Sequence, residues 1–408
     1  MQELRRRLGV WDAVVVGLGA MVGAGVFAVF APAAEIAGSG LLVGLAIAAV
    51  VAYCNATSSA RLAAVYPESG GTYVYGRERL GPFWGYLAGW AFVVGKTASC
   101  AAMALTVGAY LWPDHKNVVA VAAVVALTTL NYFGVQKAAW LTRIIVAVVL
   151  VLLAVVVIVS LTADDARYGR LELGREGAGG ILQAAALMFF AFAGYARIAT
   201  LGEEVRDPSR TIPRAVPLAL GISLITYAAV AVALLVILGA ERLGDSPDPL
   251  AEAVRVAGLA WLVPVVRVGA AIAALGSLLA LILGVSRTTL AMARDRHLPS
   301  GLAAVHPKYH VPHRAELAVG AVVAIVAATT DLRGAIGFSS FGVLLYYAIA
   351  NASAWTLQRS EGRPPRAVPV LGLVGCLGLA FALPWPSIVV GLGVLSLGAV
   401  AYRLRSTR

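Results

Sequence analysis

The sequence predicts an all-α polytopic membrane protein with twelve transmembrane helices. Three observations predict it. Apolar residues make up 60% of the 408-residue chain and charged residues only 13%, about half the roughly 25% usual for a soluble domain. The apolar residues are gathered into twelve runs long enough, or nearly so, to cross about 30 Å of hydrocarbon. Glycines interrupt two of those runs near their centres. With a mean hydropathy of +0.85, a soluble fold of this size can neither bury the apolar surface nor cover itself with so few charges. In lipid the backbone must satisfy its own hydrogen bonds, and β-barrel alternation is missing, which leaves helices.

In order, the runs fall at 11–33, 39–63, 83–111, 118–133, 138–162, 178–201, 212–239, 260–289, 315–330, 335–357, 367–383 and 387–403. The first is flanked by Arg5-Arg6-Arg7 and by Phe30-Ala31-Pro32-Ala33, a faint likeness to a secretory signal. The run is too long for a signal's apolar stretch, and eleven more follow. The last two form a tight pair, because Leu383-Pro384-Trp385-Pro386 leaves almost no loop. Lysine and arginine in the loops set the orientation. With the N-terminus in the cytoplasm, 22 of the 32 fall on the cytoplasmic side and 7 outside, with Lys96, Arg197 and Arg267 inside runs. Both termini are therefore expected in the cytoplasm of a cell bounded by this membrane. The net charge of +11 reads as an orientation signal. The basic residues form no contiguous face, so no nucleic-acid partner is expected. Cys54, Cys100 and Cys376 each lie inside an apolar run and read as small buried hydrophobes, with no disulfide framework.

Run lengths suggest a repeat. The short fourth run matches the short ninth, and the long third matches the long eighth. Five is odd, so the second unit would sit upside down relative to the first. Inverted repeats of this kind are the architecture of secondary transporters, with the substrate site between repeats near the midplane. The expected organisation is a first repeat over 1–162, a second over 163–357, and two further helices with a cytoplasmic tail over 358–408.

The first run contains Gly17-Leu18-Gly19-Ala20-Met21-Val22-Gly23-Ala24-Gly25-Val26-Phe27. The spacing is not that of a dinucleotide-binding turn, and no βαβ pattern follows. Gly19 and Gly23 suit close helix packing. Gly23-Ala24-Gly25 is also a poor helix interior. A break there frees amides that favour an anion such as a carboxylate, and carbonyls upstream that can hold an ammonium. The sixth run reads Phe189-Phe190-Ala191-Phe192-Ala193-Gly194-Tyr195-Ala196-Arg197, with Gly194 interrupting a bulky aromatic stretch. Paired glycine-interrupted helices in corresponding positions point to a transporter site.

Three blocks carry a specific resemblance. They are Gly-Ala-Gly-Val-Phe at 23–27, Phe-Ala-Gly-Tyr at 192–195 followed by Glu203-Glu204-Val205-Arg206-Asp207-Pro208 and Ile212-Pro213-Arg214-Ala215, and Gly284-Val285-Ser286-Arg287 with Ala291-Met292-Ala293-Arg294-Asp295. A weaker fourth is Tyr66-Pro67-Glu68-Ser69-Gly70-Gly71-Thr72-Tyr73-Val74-Tyr75. In these the chain resembles the amino acid–polyamine–organocation transporter superfamily, of the bacterial amino acid permease type. The resemblance implies a five-plus-five inverted repeat with helices 1 and 6 broken, and alternating access. It implies an amino acid whose carboxylate lies on the amides of Ala24 and Gly25, with Gly23 making room. Its amino group would lie on the carbonyls of Met21, Phe190 and Ala193, beside Gly194, with Phe190 and Phe192 as aromatic gates.

Lys96 stands at the centre of the third run, where a charge must face a cavity or a partner. It reads either as a structural tie to carbonyls of the broken helices or as a coupling or substrate-contacting group. Proton-coupled relatives often carry a lysine partway along the fifth run. Here aliphatic residues such as Val149 fill that stretch, which makes Lys96 the coupling candidate. Ser277, mid-way along the eighth run, is a candidate Na⁺ ligand with carbonyls of the first, or else bonds its own helix. Arg197 with Glu203 or Glu204 is a candidate cytoplasmic gate, or a solvated cluster. His306, His310 and His313 are kept off one helical face by Pro307 and Pro312, so no metal site is expected. No nucleotide-binding loop appears, and neither enzyme activity nor a cofactor is expected. The expected function is secondary transport of amino acids, proton-coupled or exchanging. The alternatives are a polyamine or organic cation carrier, which Lys96 opposes by repulsion, and a substrate sensor on the same fold that carries no flux.

Overall fold

The computed structural model describes residues 8–67, 70–134, 139–172, 177–199, 201 and 204–406. Of the residues singled out above, Arg5, Arg6, Arg7, Glu68, Ser69 and Glu203 lie outside these ranges. Among the described residues the chain is helical, apart from loops and one parallel β-bridge between Leu8 and Val205.

The first apolar run folds as three pieces. α1 (Val10–Met21) stops after Met21, α2 (Gly25–Ala28) restarts at Gly25, and α3 (Phe30–Ala37) continues it. Val29 keeps right-handed helical angles between the last two, and its N–H donates to the Gly25 carbonyl at 3.2 Å. There follow α4 (Leu41–Val65), the short α5 (Thr72–Leu80), α6 (Pro82–Leu111), α7 (Lys116–Tyr132) and α8 (Ala139–Thr162). Gly81, at φ 105°, makes the corner between α5 and α6, and Pro82 opens α6 where its missing N–H costs nothing. The sixth run is also interrupted. α9 (Ala178–Phe192) passes through a 3₁₀ turn at Ala193–Tyr195 into α10 (Ala196–Ala199). The chain ends through α11 (Pro208–Leu238), α12 (Ala240–Asp245), α13 (Pro249–Val256), α14 (Val263–Arg294), α15 (His313–Thr329), α16 (Leu332–Trp355), α17 (Ala367–Ala382) and α18 (Trp385–Ser406).

Nine stretches among the described residues are long and apolar enough to cross a membrane. The remaining three runs, 118–133, 315–330 and 367–383, fold as α7, α15 and α17, of 17, 17 and 16 residues. At 1.5 Å per residue these reach about 25 Å, short of the roughly 30 Å hydrocarbon thickness. The chain is thus a multi-pass helical membrane protein. Its outward faces are aliphatic: Val151 on α8 is 64% exposed and Leu397 on α18 is 69% exposed, as lipid contact requires.

α6 and α16 run through the interior. They cross where Gly95 meets Gly342: a Cβ at Gly342 would stand 2.9 Å from the Gly95 Cα. Beside them a buried amide network ties three helices. Asn351 on α16 donates from Nδ2 to Asn55 Oδ1 on α4 at 2.6 Å and accepts from Ser58 Oγ at 2.7 Å, while Cys376 on α17 lies 3.2 Å from the same Asn55 oxygen. Arg267, an arginine inside the eighth run, is paired: its Nε donates to Asp248 Oδ2 at 2.7 Å. Burial pushes the Asp248 carboxyl up from its ordinary value, and the guanidinium opposes that.

Removing the Asn351 amide leaves the buried Ser58 hydroxyl and the Asn55 carbonyl short of partners. N351A should lower stability by about 1–3 kcal/mol. Thermal unfolding in detergent measures this, and an unchanged midpoint would show that the network carries no stability.

Candidate functional site

The two interruptions face each other. Gly25, the first residue of α2, packs on the backbone of α9: a Cβ there would lie 2.7 Å from the Ala191 Cα. Gly194, in the 3₁₀ turn, packs on the end of α1, where a Cβ would lie 2.6 Å from the Ala20 carbonyl oxygen and 2.7 Å from the Met21 nitrogen. Glycine is needed at both positions for close approach. The structure therefore brings Gly25 against Ala191 and Gly194 against Ala20 and Met21, residues about 170 apart in sequence.

A break leaves backbone groups without helical partners, and in a membrane those groups need substitutes. Three carbonyls find them in side chains. Ser277 on α14 donates to the Gly19 carbonyl at 2.8 Å. In an unbroken helix that oxygen would accept from the Gly23 N–H. Gly23 is pressed against the same serine, with no room for a side chain. Tyr227 on α11 donates to the Ala191 carbonyl at 3.0 Å. Lys96 on α6, 7% exposed, donates from Nζ to the Ala193 carbonyl at 3.2 Å, and Tyr347 on α16 reaches the same oxygen at 3.4 Å.

The expected site residues are thus placed as follows. Lys96 stands on one of the three carbonyls that the resemblance gives to an amino group, and Ser277 meets a carbonyl of the first run. Phe190 keeps 7% exposure, while Phe192 is fully enclosed, edge-to-face with Tyr227 at 5.1 Å. Phe192 is the last residue of α9, directly before the 3₁₀ turn. Arg197 on α10 is half-buried, with the charges of Glu204 and Arg287 acting on it. The loop beyond is held by the N-terminal segment, where Leu8 N–H donates to the Glu204 carbonyl at 3.1 Å and Arg206 N–H to the Leu8 carbonyl at 2.9 Å. Tyr227 and Tyr347 were not signalled by the sequence. Each is buried in an aromatic neighbourhood, Tyr227 against Phe192 and Tyr347 stacked on Tyr195 at 5.1 Å, and each reads as ordinary core until the carbonyl beside it is known.

A bundle of membrane helices with two facing interruptions, their carbonyls tied by side chains, defines a membrane transporter of the permease class. The chain belongs to the amino acid permease family of the amino acid–polyamine–organocation superfamily, whose profile matches residues 8–400. An uncharacterized transporter of Mycobacterium tuberculosis is 70% identical over 404 residues, covering 99% of this chain and 92% of its own. A branched-chain amino acid permease of Bacillus subtilis is 26% identical, over 100% of this chain and 94% of its own. Human cationic amino acid transporter 4 is 28% identical, over 89% of this chain and 61% of its own.

Adding one methyl group at either contact forces the broken segments apart. G25A and G194A should each lower stability by about 1–3 kcal/mol. G179A, at a position in α9 with nothing within 4 Å of a Cβ, should leave stability unchanged or raise it by up to about 1 kcal/mol. Melting curves of the three variants in detergent make the comparison. Equal stability of all three would mean that the two glycines are not needed for approach.

Proposed function

We propose that the chain is a secondary active transporter that carries amino acids across the cytoplasmic membrane by alternating access, coupled to protons or running as an exchanger. The observation that carries this reading is the meeting of the two interruptions, Gly25 on Ala191 and Gly194 on Ala20 and Met21, in a chain of this family. Amides at Ala24 and Gly25 suit a carboxylate, and the carbonyls of Met21 and Phe190 suit an amino group. Both are backbone contacts and accept any amino acid. The side chain is selected by what surrounds them. Lys96 is a cation at the break, so a neutral side chain is favoured over the cationic ones named for the human relative, and a polyamine is disfavoured by the same repulsion.

The finer architecture belongs to the same proposal: twelve crossings, inverted repeats over 1–162 and 163–357, a final pair over 358–408, and both termini in the cytoplasm. Lys96 has two roles open within it. As a tie, its ammonium holds the 3₁₀ turn through Ala193. As a coupling group, it would leave that carbonyl on losing its proton and return on regaining it.

Counterflow of labelled leucine and arginine into proteoliposomes tests the function. Leucine uptake with little arginine uptake is expected, and binding without flux of any amino acid would favour a sensor. K96M should keep exchange of preloaded substrate but lose accumulation driven by an inward proton gradient. K96R should match it, because a guanidinium cannot release its proton in a protein. Accumulation at wild-type level in folded K96M would leave Lys96 as a tie alone.

Orientation has a separate test. The native cysteines are buried, so cysteines introduced as H115C and D245C should react with an impermeant reagent outside sealed right-side-out vesicles, while S209C and K308C should not. Reaction at 308 would reverse the topology.

A further inference from the structure

Glu316 lies in the first turn of α15, inside the apolar run 315–330, and is 0% exposed. Among the described residues neither of its carboxylate oxygens has a hydrogen-bond partner. The face it shares with Gly320 packs on α7, where a Cβ at Gly320 would lie 2.5 Å from the Thr128 hydroxyl oxygen. That hydroxyl is likewise buried without a partner. An ionised carboxylate with no donor from the protein is among the most costly arrangements a membrane protein can hold, and the protonated form removes most of that cost.

The charges around it are few. On α14, Arg287 is close enough to act on Glu316, and it acts on Arg197 as well. On Arg197 the charge of Glu204 acts ahead of that of Arg287. On α15 itself His313 and Arg314 share the first turn, and His313 is packed against His306 at 5.3 Å and Tyr132 of α7 at 6.1 Å. α6 contributes one charged residue, Lys96, which is engaged at Ala193. The 3₁₀ turn at Ser300–Ala303 contributes none.

We propose that Glu316 is a proton-binding site of the transport cycle, protonated in this conformation and ionised when α14 and α15 shift to bring its carboxylate against Arg287. The O–H bond breaks, the proton passes to water, and the guanidinium takes the carboxylate as its counter-charge. Arg287 also acts on Arg197 of α10, which links the site to the interrupted helix. The proposal rests on the transport reading, but protonation of Glu316 can be read without transport.

Infrared spectroscopy of the full chain in liposomes reads the protonated-carboxyl C=O stretch as pH is raised. The wild type should show a band at neutral pH that E316Q lacks, and in R287Q the band should persist to higher pH, because the cation that favours ionisation is gone. If E316Q folds poorly, E316M removes the same band. Identical carboxyl spectra for wild type and the Glu316 variant at neutral pH would overturn the proposal. In counterflow, E316Q should carry labelled leucine with a rate that no longer follows pH where the wild type's does. A variant rate that tracks pH as the wild type does would remove Glu316 from the cycle. A wild type that carries no amino acid would defeat the transport reading, while the infrared result would still judge the proton site.

Discussion

A helix that stops inside a membrane releases carbonyls and amides that water cannot reach, and this constraint organises the centre of the molecule. Four side chains from four helices answer it. Ser277 of α14 takes the Gly19 carbonyl, Tyr227 of α11 takes that of Ala191, and Lys96 of α6 shares that of Ala193 with Tyr347 of α16. An unsatisfied carbonyl in hydrocarbon costs several kcal/mol, so each bond holds its helix in place as well as closing the break. The interrupted segments are thus the hub on which α6, α11, α14 and α16 converge.

Glycine is what allows the hub to be this tight. The backbones of α1 and the 3₁₀ turn, and of α2 and α9, touch where a methyl group would not fit. A local weakness in helix propensity and a tertiary need for close approach therefore fall on the same residues. The one does not require the other: Gly179 has open space around it and breaks nothing.

Much of this was legible from the chain. Glycines within apolar runs marked both interruptions, because Gly23-Ala24-Gly25 puts two glycines in three residues and Gly194 interrupts a bulky aromatic stretch. Lys96 announced itself as a charge where none is tolerated alone. Its partner was narrowed to the broken helices and no further, since helix contacts between residues 96 and 193 leave no local trace. The tyrosines were illegible for a different reason. A tyrosine in an apolar run is unremarkable until a free carbonyl lies within reach of its hydroxyl. Glu316 was hidden by its neighbours, because an acid after His313-Arg314 reads as a solvated helix start, and only packing against α7 and α14 shows that it is enclosed. Helix count was less secure than helix position, since α7, α15 and α17 are each shorter than a full crossing.

The crossing of α6 and α16 at Gly95 and Gly342 has a consequence for how this protein can vary. Most helix contacts can be repaired after a mutation, because a larger residue on one side is matched by a smaller one opposite. Here both sides already carry the smallest residue available, each within 3.2 Å of where the other's Cβ would stand. No compensating exchange exists between the two positions. Sequence drift that enlarges either residue must therefore move the two interior helices apart.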